Sequence, residues 1–392
     1  MKLKNFTVFL GIFLIFILAG CQSESGQHQN HLEHTDHSEH MDHTEELSES
    51  TENLLGQKEE VHQQGYGLFN VSSLHEDGLK GENVKIAVLD TGIDLEHKDL
   101  KVIASQNFVD EENLDDPSAA DVNGHGTKIS GIIGAKENNF GLLGIAPNSD
   151  LYVGKVSNDL GYAKSSDLIK GIQWAIEQKV DIINISLEFY EDNPDLHKVI
   201  KEAYNNNIIM VASSGNQDDP NKERKVAFPA AYEEVISVGM LDEEGKLSEN
   251  GFEDSKIDVY GPGEDIASTF LDDKLTLDTG ASFATAYISG YVALLIQNNK
   301  ESETSYNQET IITALQDNFH QYMGNSILET AFFVTSIIAG LLILGLFVYI
   351  IINLLFNRKI FKDKKMIKNL TLVGSIGLIF FIVSLVIPIV MG

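Results

Sequence analysis

Three residues in the middle of this 392-residue chain have the types and surroundings that nucleophilic chemistry needs. Asp90 closes the run Val84 to Asp90 and is followed by Thr91-Gly92. His125 lies in Asn123-Gly124-His125-Gly126-Thr127, ahead of an apolar helical stretch from Ile129. Ser282 lies in Gly280-Ala281-Ser282-Phe283-Ala284-Thr285-Ala286 and opens a helix running to about Gln297. A serine hydroxyl is a weak nucleophile until a base removes its proton. An imidazole base in turn needs a carboxylate to fix its tautomer and stabilise its cation. Glycines beside His125 and before Ser282 leave room for substrate and for neighbouring backbone.

These residues need rigid elements to hold them. Val84 to Asp90 reads as a buried strand, a short β-branched run ended by Thr91-Gly92. Leu151 to Val156, Val180 to Leu187, Ile208 to Ser213 and Val235 to Val238 read as further strands. Amphipathic stretches at Ser165 to Gln178 and Asp195 to Asn205 separate several of them. Strands alternating with helices of this length predict an α/β fold: a doubly wound parallel sheet with helices on both faces. Such a sheet binds ligands at strand ends, where Asp90 stands.

Ala87-Val88-Leu89-Asp90-Thr91-Gly92-Ile93-Asp94, the Asn-Gly-His-Gly-Thr segment and Gly280-Ala281-Ser282-Phe283-Ala284 resemble the three signature motifs of subtilisin-like serine proteases. They follow the family's order, Asp then His then Ser, and the resemblance runs from about Gln63 to Gly324. Each motif alone is weak; their ordered coincidence within an alternating α/β pattern is specific. The resemblance implies a catalytic triad of Asp90, His125 and Ser282. It places Asn216, in Ser213-Ser214-Gly215-Asn216, as the oxyanion-hole donor. Ser186-Leu187-Glu188 falls where an extended substrate pairs as an added strand, with Ser213, Ser214 and Gly215 on the opposite wall. Ala227-Phe228-Pro229-Ala230 and Tyr260-Gly261-Pro262-Gly263 look like structural landmarks of the family.

A calcium site is implied by the same resemblance. Asp99 and Asn138 would give side-chain oxygens, and Lys136, Phe140 and Leu142 backbone carbonyls, a mixture of hard donors that suits calcium. One further amide ligand cannot be assigned among Glu59 to Gln64. The plainer reading is an ordinary loop with a capping Asp. Departures from the family pattern are Lys128 for a second histidine, Ala281 for threonine, Ala286 for proline and Glu188 for glycine. None of these transfers protons, so activity is expected to survive. Glu188, at the cleft edge, is expected to change specificity by attracting basic substrate residues; the plainer reading points it to solvent. No folding prodomain is recognisable.

The ends of the chain have other textures. Lys+Arg total 28 against 58 Asp+Glu, and the net charge of −30 argues against a nucleic-acid binder. The single cysteine excludes a disulfide framework and multi-cysteine metal sites. Residues 1–20 read as a signal peptide: Lys2 and Lys4 precede an apolar run, Phe9 to Leu18, too short to span a membrane. The run ends in Leu18-Ala19-Gly20-Cys21, which resembles a bacterial lipoprotein box with Cys21 as the lipidated residue. An ordinary signal peptide with an incidental cysteine is the alternative. At the other end, residues 325–392 read as a transmembrane hairpin. Its spans, 331–355 and 370–391, are long enough to cross ~30 Å of hydrocarbon. The intervening loop, 357–368, carries six basic residues and is expected in the cytoplasm, which puts the main body, residues 61–324, outside.

Between signal and main body, residues 21–60 are polar and acidic, and cannot bury a core. Six of the twelve histidines fall here with a period of three: His28, His31, His34, His37, His40 and His43. Imidazole is the common ligand of zinc, copper and nickel, so the tract is a candidate for weak transition-metal capture. In an extended polyproline helix the rings would stand about 9 Å apart, so chelation requires the tract to fold back around the ion. A solvated spacer is the alternative. The whole chain reads as a serine endopeptidase of a bacterial cell membrane, lipid-anchored and multi-pass, acting on secreted or surface polypeptides. The alternative is a catalytically silent protein of the same fold that captures metal through its histidines.

Overall fold

The computed structural model describes residues 61–62, 65–67, 69–109, 118–217 and 224–318, together with position 350. Cys21, the six histidines of the tract and the basic loop lie outside these residues, as do both apolar runs near the C-terminus apart from position 350. Among the described residues no helix is long and apolar enough to cross a membrane.

The strands are β1 (Val61–His62), β2 (Lys85–Asp90), β3 (Val102–Asn107), β4 (Leu142–Leu143), β5 (Asp150–Lys155), β6 (Ile182–Ile185), β7 (Ile209–Ser213), β8 (Ile236–Leu241), β9 (Val259–Pro262), β10 (Ile266–Phe270) and β11 (Lys274–Asp278). The helices that lie wholly within the described residues are α1 (Val71–Glu76), α2 (His125–Gly134), α3 (Ser165–Gln178), α4 (Pro194–Asn205) and α5 (Ala281–Glu301), and residues 308–318 are helical as well. Seven strands form one sheet in the order β3-β5-β2-β6-β7-β8-β9, and every neighbouring pair is parallel. β10 and β11 form a separate antiparallel hairpin, and β1 pairs with β4.

A parallel sheet buried on both faces needs strands that are apolar on both sides, and β2 shows how the chain provides them. Ile86 and Val88 pack into one core with Ile129, Ile132 and Ile133 of α2 and the apolar flank of α5. Ala87 and Leu89 face the opposite core with Leu168 and Ile172 of α3 and Leu196 and Ile200 of α4. One residue of register therefore decides which helices a side chain meets. α5 is apolar nearly all round, as a helix must be when it runs through a core. α4 starts where Asn193 accepts hydrogen bonds from the N–H groups of Asp195 and Leu196, with Pro194 in the first turn.

The strands and helices expected from the sequence are present, with shifted ends. β6 stops at Ile185, so Ser186 and Leu187 lie beyond the strand. α2 begins at His125, ahead of the apolar run at Ile129, which puts the imidazole on the first helical residue. The edge strands β3 and β9 and the β10–β11 hairpin were not expected: β3 is only partly buried and lacks an apolar run, and β9 carries Gly261-Pro262.

Candidate active site

Asp90 ends β2, which lies in the middle of the sheet, and is completely buried. Its Oδ1 accepts from the Thr91 N–H at 2.7 Å and from His125 Nδ1 at 2.7 Å. A carboxylate facing Nδ1 makes that nitrogen the protonated one and leaves Nε2 as the base. The imidazole keeps 26% of its side-chain surface accessible, so Nε2 can meet a ligand. Burial opposes the imidazolium, but the charge and hydrogen bond of Asp90 overcome it, and the His125 pKa lies above its ordinary 6.5. Lys128 pulls it down and Asp278 pushes it up.

The two loops meet closely because glycine lines both. A methyl group on Gly126 would collide with the Gly92 carbonyl, so this approach requires a residue with no side chain. Asp121 ties the approach. Its Oδ1 accepts from Thr91 Oγ1 at 2.9 Å and from the Gly124 N–H at 2.8 Å; its Oδ2 accepts from the Thr127 N–H at 2.9 Å and from Thr127 Oγ1 at 2.7 Å. One carboxylate thus satisfies donors from the Asp90 turn and from the first turn of α2. Sequence reasoning missed it, although an acidic residue just ahead of a helix start is a legible signal. Lys155 was missed too: it is buried at the end of β5 and donates to the Thr91 carbonyl at 3.0 Å and to Asp159 at 2.6 Å.

Ser282 lies in the first turn of α5, with its hydroxyl directed at the Ser186 carbonyl at 3.5 Å. No hydrogen bond joins it to His125; the imidazole packs instead against the Phe283 ring, 5.8 Å between centroids. A 3.5 Å contact is weak, so χ1 rotation toward Nε2 gives up little. The serine backbone is held firmly. Ser289 Oγ donates to Asn184 Oδ1 at 2.8 Å, Asn184 Nδ2 to Ser186 Oγ at 3.1 Å, and Ser186 Oγ to the Ser282 carbonyl at 3.1 Å. This buried chain, invisible in the sequence, clamps the start of α5 to the end of β6. Asn216 accepts from the Ala281 N–H through Oδ1 at 2.9 Å, which orients its amide and leaves Nδ2 as the donating end. The landmark at Gly263 also acts here, its carbonyl accepting from the Gly280 N–H at 2.8 Å.

Several residues of the cleft and its surroundings have partners that the sequence does not reveal. Lys128 forms an ion pair with Asp278 at 2.6 Å, so the basic residue at this position joins α2 to β11. Ser213, Ser214 and Gly215 are all buried. Glu188 is neither a free carboxylate that awaits a basic substrate residue nor a solvent-facing one. Its Oε2 accepts from Arg224 Nη2 at 3.2 Å and from the Tyr190 hydroxyl at 3.3 Å. The simple charge argument for Glu188 therefore fails, because its charge is already matched.

The calcium residues also lie together, in an altered arrangement. Asp99 is completely buried beneath the 136–142 loop. Its oxygens accept from Asn138 Nδ2 at 3.0 Å and from the Leu142 N–H at 2.7 Å, while Asn138 Oδ1 accepts from the Phe140 N–H at 2.8 Å. The donor types fit calcium: a buried carboxylate, an amide and loop carbonyls. The Asn138 amide, however, turns nitrogen toward Asp99, and an ion would require its oxygen there. Among the described residues there is no cluster of three or more His, Cys, Asp or Glu that could hold a metal.

A parallel α/β sheet that presents a carboxylate–imidazole pair and a helix-start serine beyond its strand ends has the architecture of a serine hydrolase. Residues 81–330 match the model of the subtilase family, so the chain belongs to that family. It is a serine-type endopeptidase. The chain is 38% identical over 243 residues to the major intracellular serine protease of Bacillus subtilis strain 168, which covers 61% of this chain and 76% of that protein. It is 42% identical over 221 residues to an intracellular serine protease of Paenibacillus polymyxa, covering 56% of this chain and 68% of the relative. With subtilisin DY of Bacillus licheniformis it shares 32% identity over 270 residues, 68% of this chain and 97% of the relative.

Proposed function

We propose that this protein is a membrane-tethered, extracytoplasmic endopeptidase that cleaves secreted or surface polypeptides through Asp90, His125 and Ser282. The observation that carries the catalytic assignment is the 2.7 Å contact between His125 Nδ1 and Asp90 Oδ1, with Ser282 on the adjoining helix start. Ser282 Oγ attacks the scissile carbonyl carbon and its proton passes to His125 Nε2. Asp90 stabilises the imidazolium, and Asn216 Nδ2 donates to the oxyanion, an interaction worth ~3–4 kcal/mol in the transition state. Collapse breaks the C–N bond as His125 returns the proton to the leaving amine, and water repeats the sequence on the acyl-enzyme.

The location rests on the sequence of the two ends: the lipoprotein-like box at Cys21 and the basic loop 357–368 independently favour the same side of the membrane for the domain. The word intracellular in the names of two relatives belongs to those proteins, whose similarity covers the peptidase region. Double anchoring favours processing or quality control of exported chains. Calcium bound by Asp99, Asn138 and the carbonyls of Lys136, Phe140 and Leu142 would stiffen the loop after α2, and the histidine tract would take transition metals.

Labelling of the full-length protein in membranes with a fluorophosphonate tests the catalytic reading. An adduct on Ser282 that is lost in Ser282→Ala is the expected result. Folded protein without an adduct would leave the silent, metal-capturing alternative. Accessibility of the domain to protease added outside intact cells tests the topology; protection until the cells are opened overturns it.

A further inference from the structure

We propose that Glu188, held by Arg224 and Tyr190, blocks the pocket for the substrate residue that acylates Ser282, and so restricts that residue to glycine or alanine. The inference rests on the catalytic reading of Ser282 and Asn216 given above.

An acyl group on Ser282 Oγ with its carbonyl oxygen toward Asn216 must send its side chain sideways. The space between residues 186–188, leaving β6, and 213–215, leaving β7, adjoins Ser282, whose carbonyl accepts from Ser186 Oγ and whose neighbour Ala281 donates to Asn216. The two strands are direct neighbours, with Ile185 opposite Ala212. Gly215 opens one wall of this gap, and Glu188 closes it from the other. A methyl group placed on Gly215 would lie 2.9 Å from Glu188 Oε2 and 3.2 Å from its carboxyl carbon. The carboxylate therefore occupies the volume that a missing side chain at 215 leaves clear.

Three contacts keep it there. Arg224 Nη2 donates to Glu188 Oε2 at 3.2 Å and to the Tyr190 hydroxyl at 3.1 Å. The Tyr190 hydroxyl donates to the same Oε2 at 3.3 Å. The guanidinium also lies over the Tyr190 ring, 5.1 Å from its centroid, a cation–π arrangement. Glu188 and Arg224 keep only 19% and 22% of their side-chain surface, so the pair is shielded from water and is harder to part than an exposed one. A bulky apolar residue would have to displace this carboxylate from Arg224 and Tyr190. A lysine would have to compete with a guanidinium already in place. Glycine and alanine need neither.

The test is a peptide series, varied only at the residue before the scissile bond, hydrolysed by the full-length protein. Wild type should cleave after Ala at least tenfold faster, in kcat/KM, than after Phe, Leu or Lys. Glu188→Gly should raise kcat/KM for Phe and Leu tenfold or more, and by a larger factor than for Ala. Arg224→Ala should free the carboxylate and raise cleavage after Lys. Wild type cleaving after Phe or Leu as fast as after Ala, with Glu188→Gly unchanged, overturns the proposal. A wild-type preference for Lys also overturns it, since the carboxylate would then serve substrate rather than Arg224. If Ser282 still takes the fluorophosphonate in those cases, the catalytic reading survives; if neither labelling nor any hydrolysis occurs, both fall together.

Discussion

Asp121 Oδ1 accepts the Thr91 hydroxyl at 2.9 Å, and through that bond the turn beside Asp90 is fastened to the turn that begins the helix of His125. The same carboxylate takes two backbone N–H groups and one more hydroxyl, all from residues 124–127. The 2.7 Å distance between Asp90 and His125 is thus set by a residue that touches neither.

Asp121→Asn tests this directly. An amide can accept on one side only, so its NH2 would face the Thr127 N–H, and charge-assisted bonds worth about 1.5–3 kcal/mol each are weakened. Turnover should fall ~10²-fold with KM nearly unchanged, because a small misplacement of catalytic groups has that cost. The acid limb of the pH profile should move to lower pH, since a loosened Asp90 raises the His125 pKa less. A variant with lower melting temperature but the wild-type profile would leave Asp121 a purely structural residue.

Removing the nucleophile and removing an oxyanion donor should have different signatures. Ser282→Ala should abolish hydrolysis without unfolding the protein, as one half-buried hydroxyl with a single 3.5 Å contact is lost. Asn216→Ala should keep weak activity, with kcat reduced by about 10²–10³. Wild-type turnover in Asn216→Ala would remove that side chain from the mechanism.

The raised pKa of His125 fixes the sign of the pH dependence. The imidazole must be neutral to accept the serine proton, so the acid limb of kcat/KM should have its midpoint above 6.5. Lys128 lowers that pKa, and Lys128→Gln should shift the limb further up; Asp278→Asn should shift it down. The linked effect on folding runs the other way: the Asp90–His125 pair stabilises the protein fully below the unfolded value near 6.5, and this is lost as pH rises through the folded value. An acid limb below 6.5 in wild type would contradict the arrangement.

Calcium should raise the melting temperature of the full-length protein in detergent, and a chelator should lower it. Binding to the folded state alone contributes about 2.7 kcal/mol at a hundredfold excess over Kd. Asn138 must turn its oxygen inward to bind the ion, so Asn138→Ala should remove the calcium-dependent increment. Superimposable melting curves with calcium and with chelator would leave Asp99 in its hydrogen-bonded loop without a metal.

Local sequence determined much of this protein. The alternation of β-branched runs with amphipathic stretches specified a parallel sheet, because burial on both faces leaves no polar stripe along a strand such as β2. The motifs around Asp90, His125 and Ser282 specified the chemistry, because each combines a reactive side chain with glycines that permit close approach. The tertiary structure decided what long-range partners decide. Asp121 reads as one acid among 58 Asp and Glu until the fold brings Thr91 to it. Asn184 and Ser289 are 105 positions apart and read as unremarkable polar residues, yet their hydrogen bond holds the helix that carries Ser282 in its first turn. Glu188 carried a charge whose meaning depended on Arg224, 36 positions away and beyond another strand. A carboxylate's effect on substrate depends on which cation reaches it first, and that is a property of the folded chain.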